Sequence, residues 1–147
     1  METVNTKTIK IKYHSDIDKI QPISIGNWVD LRIDSDVMLM KGESAILSLG
    51  VSMKLPKGFE AHIAPRSSTF KNWGIIQTNG IGIVDDSYSG NDDIWKMGVY
   101  ATRDTYIEKN SRVCQFRIME IQPDLVFDEV DSLDDVSRGG FGSTGVK

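Results

Sequence analysis

The stretch Cys114-Gln115-Phe116-Arg117-Ile118 carries the clearest structural signal in the chain, because apolar and polar side chains alternate strictly along it. Successive side chains of a β-strand point to opposite faces, so the apolar residues share one face and the polar residues share the other. The stretch therefore predicts a strand with one buried face.

The same alternation recurs on both sides of this stretch and predicts further short strands. It is seen in Ile9/Ile11/Tyr13, Val29/Leu31/Ile33, Phe59/Ala61/Ile63 and Leu125/Phe127. Turn-forming residues separate these segments, namely Lys41-Gly42, Pro56-Lys57-Gly58, Ser89-Gly90-Asn91, Lys109-Asn110 and Gln122-Pro123. Many short strands at fairly even spacing predict an all-β sandwich, jelly roll or barrel. We expect one short helix, from Ser67 to Trp73, with serines capping its start and Gly74 ending it.

Composition excludes several classes of function. The 147 residues fit one domain, and a net charge of −4 gives no general attraction to nucleic acid or anionic membranes. Cys114 is the only cysteine, so an intramolecular disulfide cannot form. The segment Met1 to Tyr13 has no apolar stretch typical of a secretory signal, and no apolar run reaches a membrane-spanning length. A soluble cytoplasmic protein is expected.

The C-terminal residues 138–147 differ from the rest of the chain. Arg138 to Gly145 holds four glycines in eight residues and follows an acidic run, Asp128 to Asp135. The glycines predict an arm that is mobile until a ligand binds it, next to a core of residues 1–137. Arg138, Ser143 and Thr144 suit a phosphate, and the isolated Phe141 suits a flat base. A frayed terminus without function explains the same composition.

Two strand ends offer further candidate groups. Pro65-Arg66-Ser67-Ser68 lies between a strand and the short helix, where hydroxyls and N–H groups suit an anion, although simple capping also explains it. In Gln77 to Gly90, the glycines and Asn79 indicate a hairpin whose backbone is free to contact a ligand. Asp85 follows two β-branched residues that we expect to be buried, so its carboxylate could take a proton from water. Asp85 and Asp86 are also explained as ordinary turn formers, which is the more common role of an Asp-Asp pair.

Gln115 and Asp30 complete the set of candidate polar groups. Gln115 lies on the strand face opposite Phe116 and could reach a phosphate, while Asp30 interrupts the apolar run Trp28-Val29-Asp30-Leu31. Polar residues on an exposed strand face are the more common explanation for both.

These five segments, in their order and spacing, resemble the five signature motifs of the trimeric dUTPase family. The resemblance runs from about Trp28 to the C-terminus and is most specific in Gly82 to Gly90 and in Arg138 to Gly145. Pro65-Arg66-Ser67-Ser68-Thr69-Phe70-Lys71-Asn72 and Cys114 to Met119 resemble most the dUTPases of low-GC Gram-positive bacteria and their phages. The resemblance implies a distorted jelly-roll, β-barrel-like fold with one short helix and a flexible C-terminal arm.

The resemblance also implies a reaction, in which Mg²⁺-assisted attack of water on the α-phosphorus converts dUTP to dUMP and pyrophosphate. This limits uracil incorporation into DNA and supplies dUMP for dTTP synthesis. Asp85 would activate the water, and Tyr88 would pack on the deoxyribose. Asn79 and Gly82 would read uracil. The phosphate chain would contact Arg66, Ser67, Ser68, Gln115, Arg138, Ser143 and Thr144, and Phe141, next to Gly142, would stack over the base.

A triphosphate brings its own oxygen ligands, so no direct protein ligand to Mg²⁺ is expected, with Asp30 and Gln115 acting at most through water. The resemblance further implies a homotrimer with shared sites. Trp95 is interpreted first as a core residue and second as an aromatic that assists Phe141 in base stacking. Two alternatives remain open. One is a dCTP deaminase or bifunctional enzyme, although the third motif carries Asp85 rather than a glutamate. The other is a phage dUTPase that also binds a regulatory protein.

Overall fold

The computed structural model describes residues 6–140 and residue 145. These residues form eleven strands and one five-residue helix. In chain order the elements are β1 (Lys10–Tyr13), β2 (Val29–Arg32), β3 (Val37–Leu39), β4 (Ser44–Ser48), β5 (Val51–Lys54), β6 (Phe59–Pro65), α1 (Thr69–Trp73), β7 (Ile75–Gln77), β8 (Gly82–Val84), β9 (Lys96–Ala101), β10 (Thr105–Ile107) and β11 (Arg112–Glu120).

The strands form four antiparallel sheets whose inner faces enclose one apolar core. The largest sheet has the order β2-β11-β6-β8, a second has the order β4-β9-β7, and β1-β5 and β10-β3 form two-stranded sheets. Almost every pairing joins strands that are distant in the chain, as expected of a jelly-roll-like fold rather than a simple meander. The predicted all-β architecture with one short helix is confirmed.

Strand β11 runs through the middle of the largest sheet, between β2 and β6. The alternation of apolar and polar residues along β11 gives the predicted buried face, because Cys114 and Phe116 are buried while Gln115 lies on the opposite face. Trp95 packs edge-on against Phe116, with ring centroids 5.2 Å apart. Since Trp95 is only 1% exposed, it is a core residue, and its ring face is not open to a base.

Helix α1 ends as predicted and begins differently. Gly74 adopts the left-handed conformation at φ 62° and closes the helix with its N–H donating to Phe70 O. Ser68 occupies the N-cap position but makes no capping hydrogen bond. The prediction of a serine cap is therefore wrong. The hydroxyl that organises this helix start belongs to Thr69, which is fully buried.

The predicted hairpin between Gln77 and Gly90 is also wrong. Strand β7 pairs with β9, and β8 pairs with β6, so the two strands belong to different sheets. The loop 78–81 crosses from one sheet to the other. Glycine and asparagine make a chain reversal easy, but they do not decide whether the flanking strands pair with each other.

Alternation at Leu125 and Phe127 does not form a strand. Residues 121–140 contain no helix or strand, and Phe127 is 90% exposed. A strand needs a partner for its N–H and C=O groups, and no described strand lies alongside this segment. Residues 138–140 and 145 are likewise exposed, and the division into a core and an arm at residue 138 stays a prediction.

Two further features concern the single cysteine and the length of the helices. Cys114 is buried, and this burial raises the pKa of its thiol far above the usual range, with the nearby charge of Asp30 adding to the effect. The thiol is therefore neutral and unreactive. Across residues 6–140 and 145, no helix has the length and hydrophobicity needed to span a membrane.

Candidate active site

A cluster of charged side chains lies at the carboxyl end of β6, next to β11, which runs between β6 and β2. One carboxylate oxygen of Asp30 forms an ion pair with Arg66 Nε at 3.2 Å, and the other accepts a hydrogen bond from Arg112 Nη1 at 3.1 Å. Arg66 also donates to the backbone oxygen of Arg112 at 3.2 Å. One carboxylate thus holds two guanidinium groups in fixed positions, and their remaining N–H donors are suited to bind phosphate oxygens.

Buried contacts fix the backbone on which this cluster stands. Thr69 Oγ1 accepts from the N–H of Arg66 at 2.8 Å and donates to Val113 O at 3.0 Å. Gln115 pairs with Asp30 in the sheet register, and its amide donates to Pro65 O at 3.2 Å. Ser67 and Ser68 follow directly between Arg66 and α1. The structure therefore brings Asp30, Arg66, Ser67, Ser68 and Gln115 into one region.

Asp85 lies at the end of β8 and its carboxylate is oriented by a tight turn. Its Oδ1 accepts from the N–H of Ser87 at 2.7 Å, and its backbone oxygen accepts from the N–H of Tyr88 at 3.1 Å. Hydrogen bonds from the Ser87 backbone, then from the Ser87 and Asp86 side chains, hold the pKa of Asp85 below its usual value. The carboxylate is ionised at neutral pH. The expectation that Ile83 is buried is wrong, since Ile83 is 54% exposed and only Val84 anchors the strand end.

Tyr88 lies beside Asp85 on the rim of a surface cavity. The Tyr88 hydroxyl donates to Ile94 O at 3.0 Å, which holds the ring in one orientation while 38% of the residue stays exposed. Asp85, Tyr88 and Trp95 are among the residues that line the cavity, whose volume is about 290 Å³. A positioned aromatic ring next to an ionised carboxylate suits a ligand with a flat, weakly polar part close to its reacting centre.

The loop 78–81 joins β7 to β8 and exposes polar groups. Asn79 and Gly80 are exposed, and Gly82 pairs with Ile63 in β6. A side chain at Gly82 would put its Cβ 3.1 Å from Ile63 Cβ, so the close approach of these two strands favours glycine. The buried amide of Gln77 underlies the loop and donates to Asn79 O at 3.1 Å.

The two groups of predicted site residues lie at opposite ends of β6. Because Val84 pairs with Ala61, Asp85 lies near the start of β6, whereas Arg66 follows its end at Pro65. The rise of about 3.3 Å per residue separates Asp85 from Arg66 by roughly 20 Å. The cavity beside Tyr88 shares no lining residue with the cavity beside Asp30 and Arg112.

The C-terminal candidates are not brought to either group. Arg138 is exposed and makes no hydrogen bond or ion pair within the described residues. Phe141, Gly142, Ser143 and Thr144 lie outside the described residues, so their predicted contacts stay predictions.

No group of three or more His, Cys, Asp or Glu side chains suited to a metal ion occurs among residues 6–140 and 145. Both carboxylate oxygens of Asp30 are already paired with arginines of the basic cluster. This donor set fits a cation that arrives with a phosphate chain and keeps its waters, and it does not form a closed protein cage.

Three residues with a structural part in these sites were not assigned by the sequence. Arg112 begins the segment Arg112 to Phe116, one of the five that resemble the family motifs, but it was given no role. Its ion pair with Asp30 places it in the basic cluster. Thr69 and Gln77 act through buried hydrogen bonds to residues 44 and 14 positions away, at Val113 and Ile63. The only sequence signal for either was a polar residue at a position that the flanking pattern predicts to be buried.

Comparison with known proteins identifies the family. The family model described as dUTPase matches residues 24–145. The SPbeta prophage-derived deoxyuridine 5'-triphosphate nucleotidohydrolase YosS of Bacillus subtilis is 51% identical over 140 residues, covering 95% of this chain and 99% of that protein. The chain belongs to the dUTPase family. A second dUTPase relative, from Cutibacterium acnes, is 32% identical over 80% of this chain and 78% of its own length.

Solved dUTPase structures share the fold. A mutant dUTPase of Staphylococcus bacteriophage 80alpha with dUpNHpp superposes with a TM-score of 0.78 at 19% identity, covering 96% of this chain and all of that chain. A mutant dUTPase from phage phi11 of S. aureus, described as coordinating a structural Mg(II) ion, gives a TM-score of 0.73 at 13% identity, covering 87% of this chain and 99% of its own. At these low identities the structural similarity shows a shared fold and nothing more specific.

Proposed function

We propose that this chain hydrolyses dUTP to dUMP and pyrophosphate, with water attacking the α-phosphorus. Membership of the dUTPase family supports the reaction, as does the 51% identity to a prophage-derived enzyme named for it. The observation that carries the assignment of roles is the Asp85 carboxylate, ionised and oriented beside the Tyr88 ring. In the cell the reaction would limit uracil in DNA and supply dUMP in the cytoplasm.

Asp85 is the general base of this proposal. Its Oδ1 accepts from the N–H of Ser87. In this proposal the other carboxylate oxygen faces the attacking water molecule. The carboxylate orients that water and accepts its proton as the oxygen–phosphorus bond forms, and pyrophosphate leaves. Tyr88, held by its bond to Ile94 O, packs on the deoxyribose and leaves no space for a 2′-hydroxyl. Asn79 and the backbone at Gly82 read the uracil edge.

The phosphate chain is bound by the groups at the other end of β6. Arg66 and the hydroxyls of Ser67 and Ser68 contact its oxygens, with the amide of Gln115 beside them. Arg138, Ser143 and Thr144 from the arm bind the terminal phosphates, and Phe141, next to Gly142, covers the base. Closure of such an arm excludes water and strengthens each charged contact.

Mg²⁺ is the proposed cofactor. When bound, it would neutralise phosphate charge and favour departure of pyrophosphate. Asp30 and Gln115 would reach it through water, while the triphosphate oxygens provide the direct ligands. The described Mg(II) site of the phi11 dUTPase supports a role for this ion in the fold family.

We propose a homotrimer with sites shared between its subunits, and the separation along β6 supports this proposal. Arg66 is proposed to bind the phosphate chain on which Asp85 acts, yet the two residues lie roughly 20 Å apart in one chain by the rise of a strand. A general base must lie within hydrogen-bond reach of the reacting water. A neighbouring subunit that supplies the second group solves this conflict, and closed cyclic symmetry then gives equal sites.

A second proposal is that the chain also binds a regulatory protein. Phage dUTPases with this fold are described as controlling transfer of virulence genes. A partner protein for this chain would be detected by a pull-down from host lysate, and blocked dUTP turnover by the captured protein would support a shared surface.

The primary test measures pyrophosphate release from dUTP, dCTP, dTTP and UTP, with and without Mg²⁺. Strong preference for dUTP with dependence on Mg²⁺ is expected. Turnover of dCTP with release of ammonia would instead support a deaminase, and no turnover of dUTP would refute the proposed function.

A further inference from the structure

Gln77 is a buried polar residue that the proposed mechanism does not use. Its side chain sits at the end of β7, 8% exposed, and its amide nitrogen donates to Ile63 O at 3.0 Å and Asn79 O at 3.1 Å. Both partners are carbonyl oxygens, so only the nitrogen of the amide can face them. Its Oε1 is buried and accepts no hydrogen bond within the described residues. Burying an unpaired acceptor costs free energy, and an apolar side chain at this position would avoid that cost. The presence of glutamine therefore indicates that its two donated bonds have a role beyond core packing.

These two bonds fix the middle of a loop whose ends are already held. Thr78 donates its N–H to Gly98 O at 3.0 Å, and Gly82 pairs with Ile63. Between them, among the described residues, the bond from Gln77 to Asn79 O is the one hydrogen bond made by residues 79–81. Removing the Gln77 amide would therefore leave that segment without a fixed conformation.

The bond also sets which way the Asn79–Gly80 peptide faces. In a trans peptide the C=O and the following N–H point in opposite directions, and no cis peptide occurs among the described residues. With Asn79 O turned inward to Gln77, the N–H of Gly80 points outward, where it donates to no described group. Glycine tolerates either orientation of such a peptide, so Gly80 alone would permit it to flip.

The outward N–H is a donor, and this distinguishes pyrimidines. Uracil has an acceptor oxygen at C4, whereas cytosine has an amino donor there. An N–H that faces C4 pairs with the oxygen and opposes the amino group, while a flipped peptide would present a carbonyl and favour cytosine. A site built to hydrogen-bond a substrate group strongly rejects an analogue that lacks it.

We propose that Gln77 is a positioning residue that sets the preference for uracil over cytosine by holding the Asn79–Gly80 peptide with its N–H toward the base. The inference rests on the proposed function, because it takes the loop 78–82 as the part of the site that reads the base. Gln77 touches no substrate in this scheme and acts only through the loop.

The test compares Gln77→Met, which keeps the volume and removes the amide, with the wild-type protein. We expect KM for dUTP to rise about tenfold or more and Ki for dCTP as a competitive inhibitor to fall, with kcat for dUTP within about twofold. Gln77→Glu is a second variant of the same size that also loses the donors. Tyr13→Phe is the matched control, since it removes one hydrogen bond to the backbone, at Ile20 N, away from the loop. Its melting temperature should fall without a change in the KM-to-Ki ratio.

A measurement on the wild-type protein decides the matter if both Gln77 variants fail to fold. In an ¹⁵N-labelled sample, the Gly80 amide resonance should shift on addition of dUMP and shift much less with dCMP. Failure of the wild-type protein to hydrolyse dUTP would refute the proposed function as a whole. Normal dUTP hydrolysis together with an unchanged KM-to-Ki ratio in Gln77→Met, or with no response of Gly80 to dUMP, would overturn the role of Gln77 alone.

Discussion

Asp85 and Arg66 lie beyond opposite ends of the same strand, β6, because Val84 pairs with Ala61 near its start and Arg66 follows Pro65 at its end. One chain therefore holds the proposed base and the proposed phosphate-binding groups in two separate regions. The proposed sharing of sites between subunits depends on this separation, and mixed variants can test it.

Two inactive variants should restore activity when mixed. Asp85→Asn and Arg66→Ala each damage one half of the proposed site, and after unfolding and refolding together about a quarter of the shared sites in random trimers should contain both intact halves. Separate refolding of each variant is the control. Mixed samples that stay as inactive as the single variants would show that one chain supplies both halves.

Asp85→Asn should lower turnover by a factor of about 10² to 10⁴ because it removes the base. The amide oxygen of asparagine can still accept from the N–H of Ser87, so the turn and dUTP binding should persist. Steady-state kinetics together with calorimetric binding of dUTP separates the two effects. Near-normal turnover would exclude Asp85 as the base.

Ser87→Ala should raise the pKa of Asp85 toward its usual value of 3.8, because it removes the hydroxyl that helps hold this pKa down and leaves the backbone bond. A depressed pKa in the folded state keeps the carboxylate ionised to lower pH. In the variant, protonation on acidification should therefore begin at higher pH, while turnover at neutral pH stays close to normal. Titration of the Asp85 carboxyl carbon by NMR measures this directly, and a pKa unchanged by the substitution contradicts it.

Tyr88→Ala should weaken discrimination against UTP more than it weakens dUTP binding, because the ring is expected to fill the space of a 2′-hydroxyl. Tyr88→Phe is the informative partner, since it keeps the ring and loses only the bond to Ile94 O. We expect Tyr88→Phe to stay selective if packing alone holds the ring. The measured quantity is the dUTP-to-UTP ratio of kcat/KM, and an unchanged ratio in Tyr88→Ala removes Tyr88 from the sugar site.

Ending the chain after Ser137 should leave the melting temperature nearly unchanged and reduce turnover severely. Arg138, Gly139 and Gly140 are exposed, and no described core residue is lost. Phe141→Ala should do less damage, because the proposed phosphate contacts survive. Proteolysis of the arm should slow when dUpNHpp is present. Normal dUTP hydrolysis by the truncated protein would show that the arm is dispensable.

The local sequence pattern was sufficient to predict elements whose form depends only on which of their side chains are buried or on the conformation of one residue. Alternation over Cys114–Ile118 predicted a half-buried strand, and β11 has the predicted buried and exposed faces. With a period of two, burial of the apolar side chains fixes which face of the strand is turned to the core. Gly74 predicted the end of α1 for an equally local reason, since only a left-handed residue closes that turn. The order and spacing of the motifs were likewise sufficient to predict the dUTPase family.

Tertiary structure alone decided which strands pair and which side chains meet. The residues that flank loop 78–81 could have formed a hairpin, yet β7 joins β9 and β8 joins β6, because long-range packing outweighs the local preference for a turn. Alternation at Leu125 and Phe127 produced no strand without a partner to satisfy its backbone. Contacts between residues that are distant in the sequence also join Asp30 to Arg66 and Arg112, and Gln77 to Ile63. A linear sequence lists these groups, and only the folded chain brings them within hydrogen-bond distance.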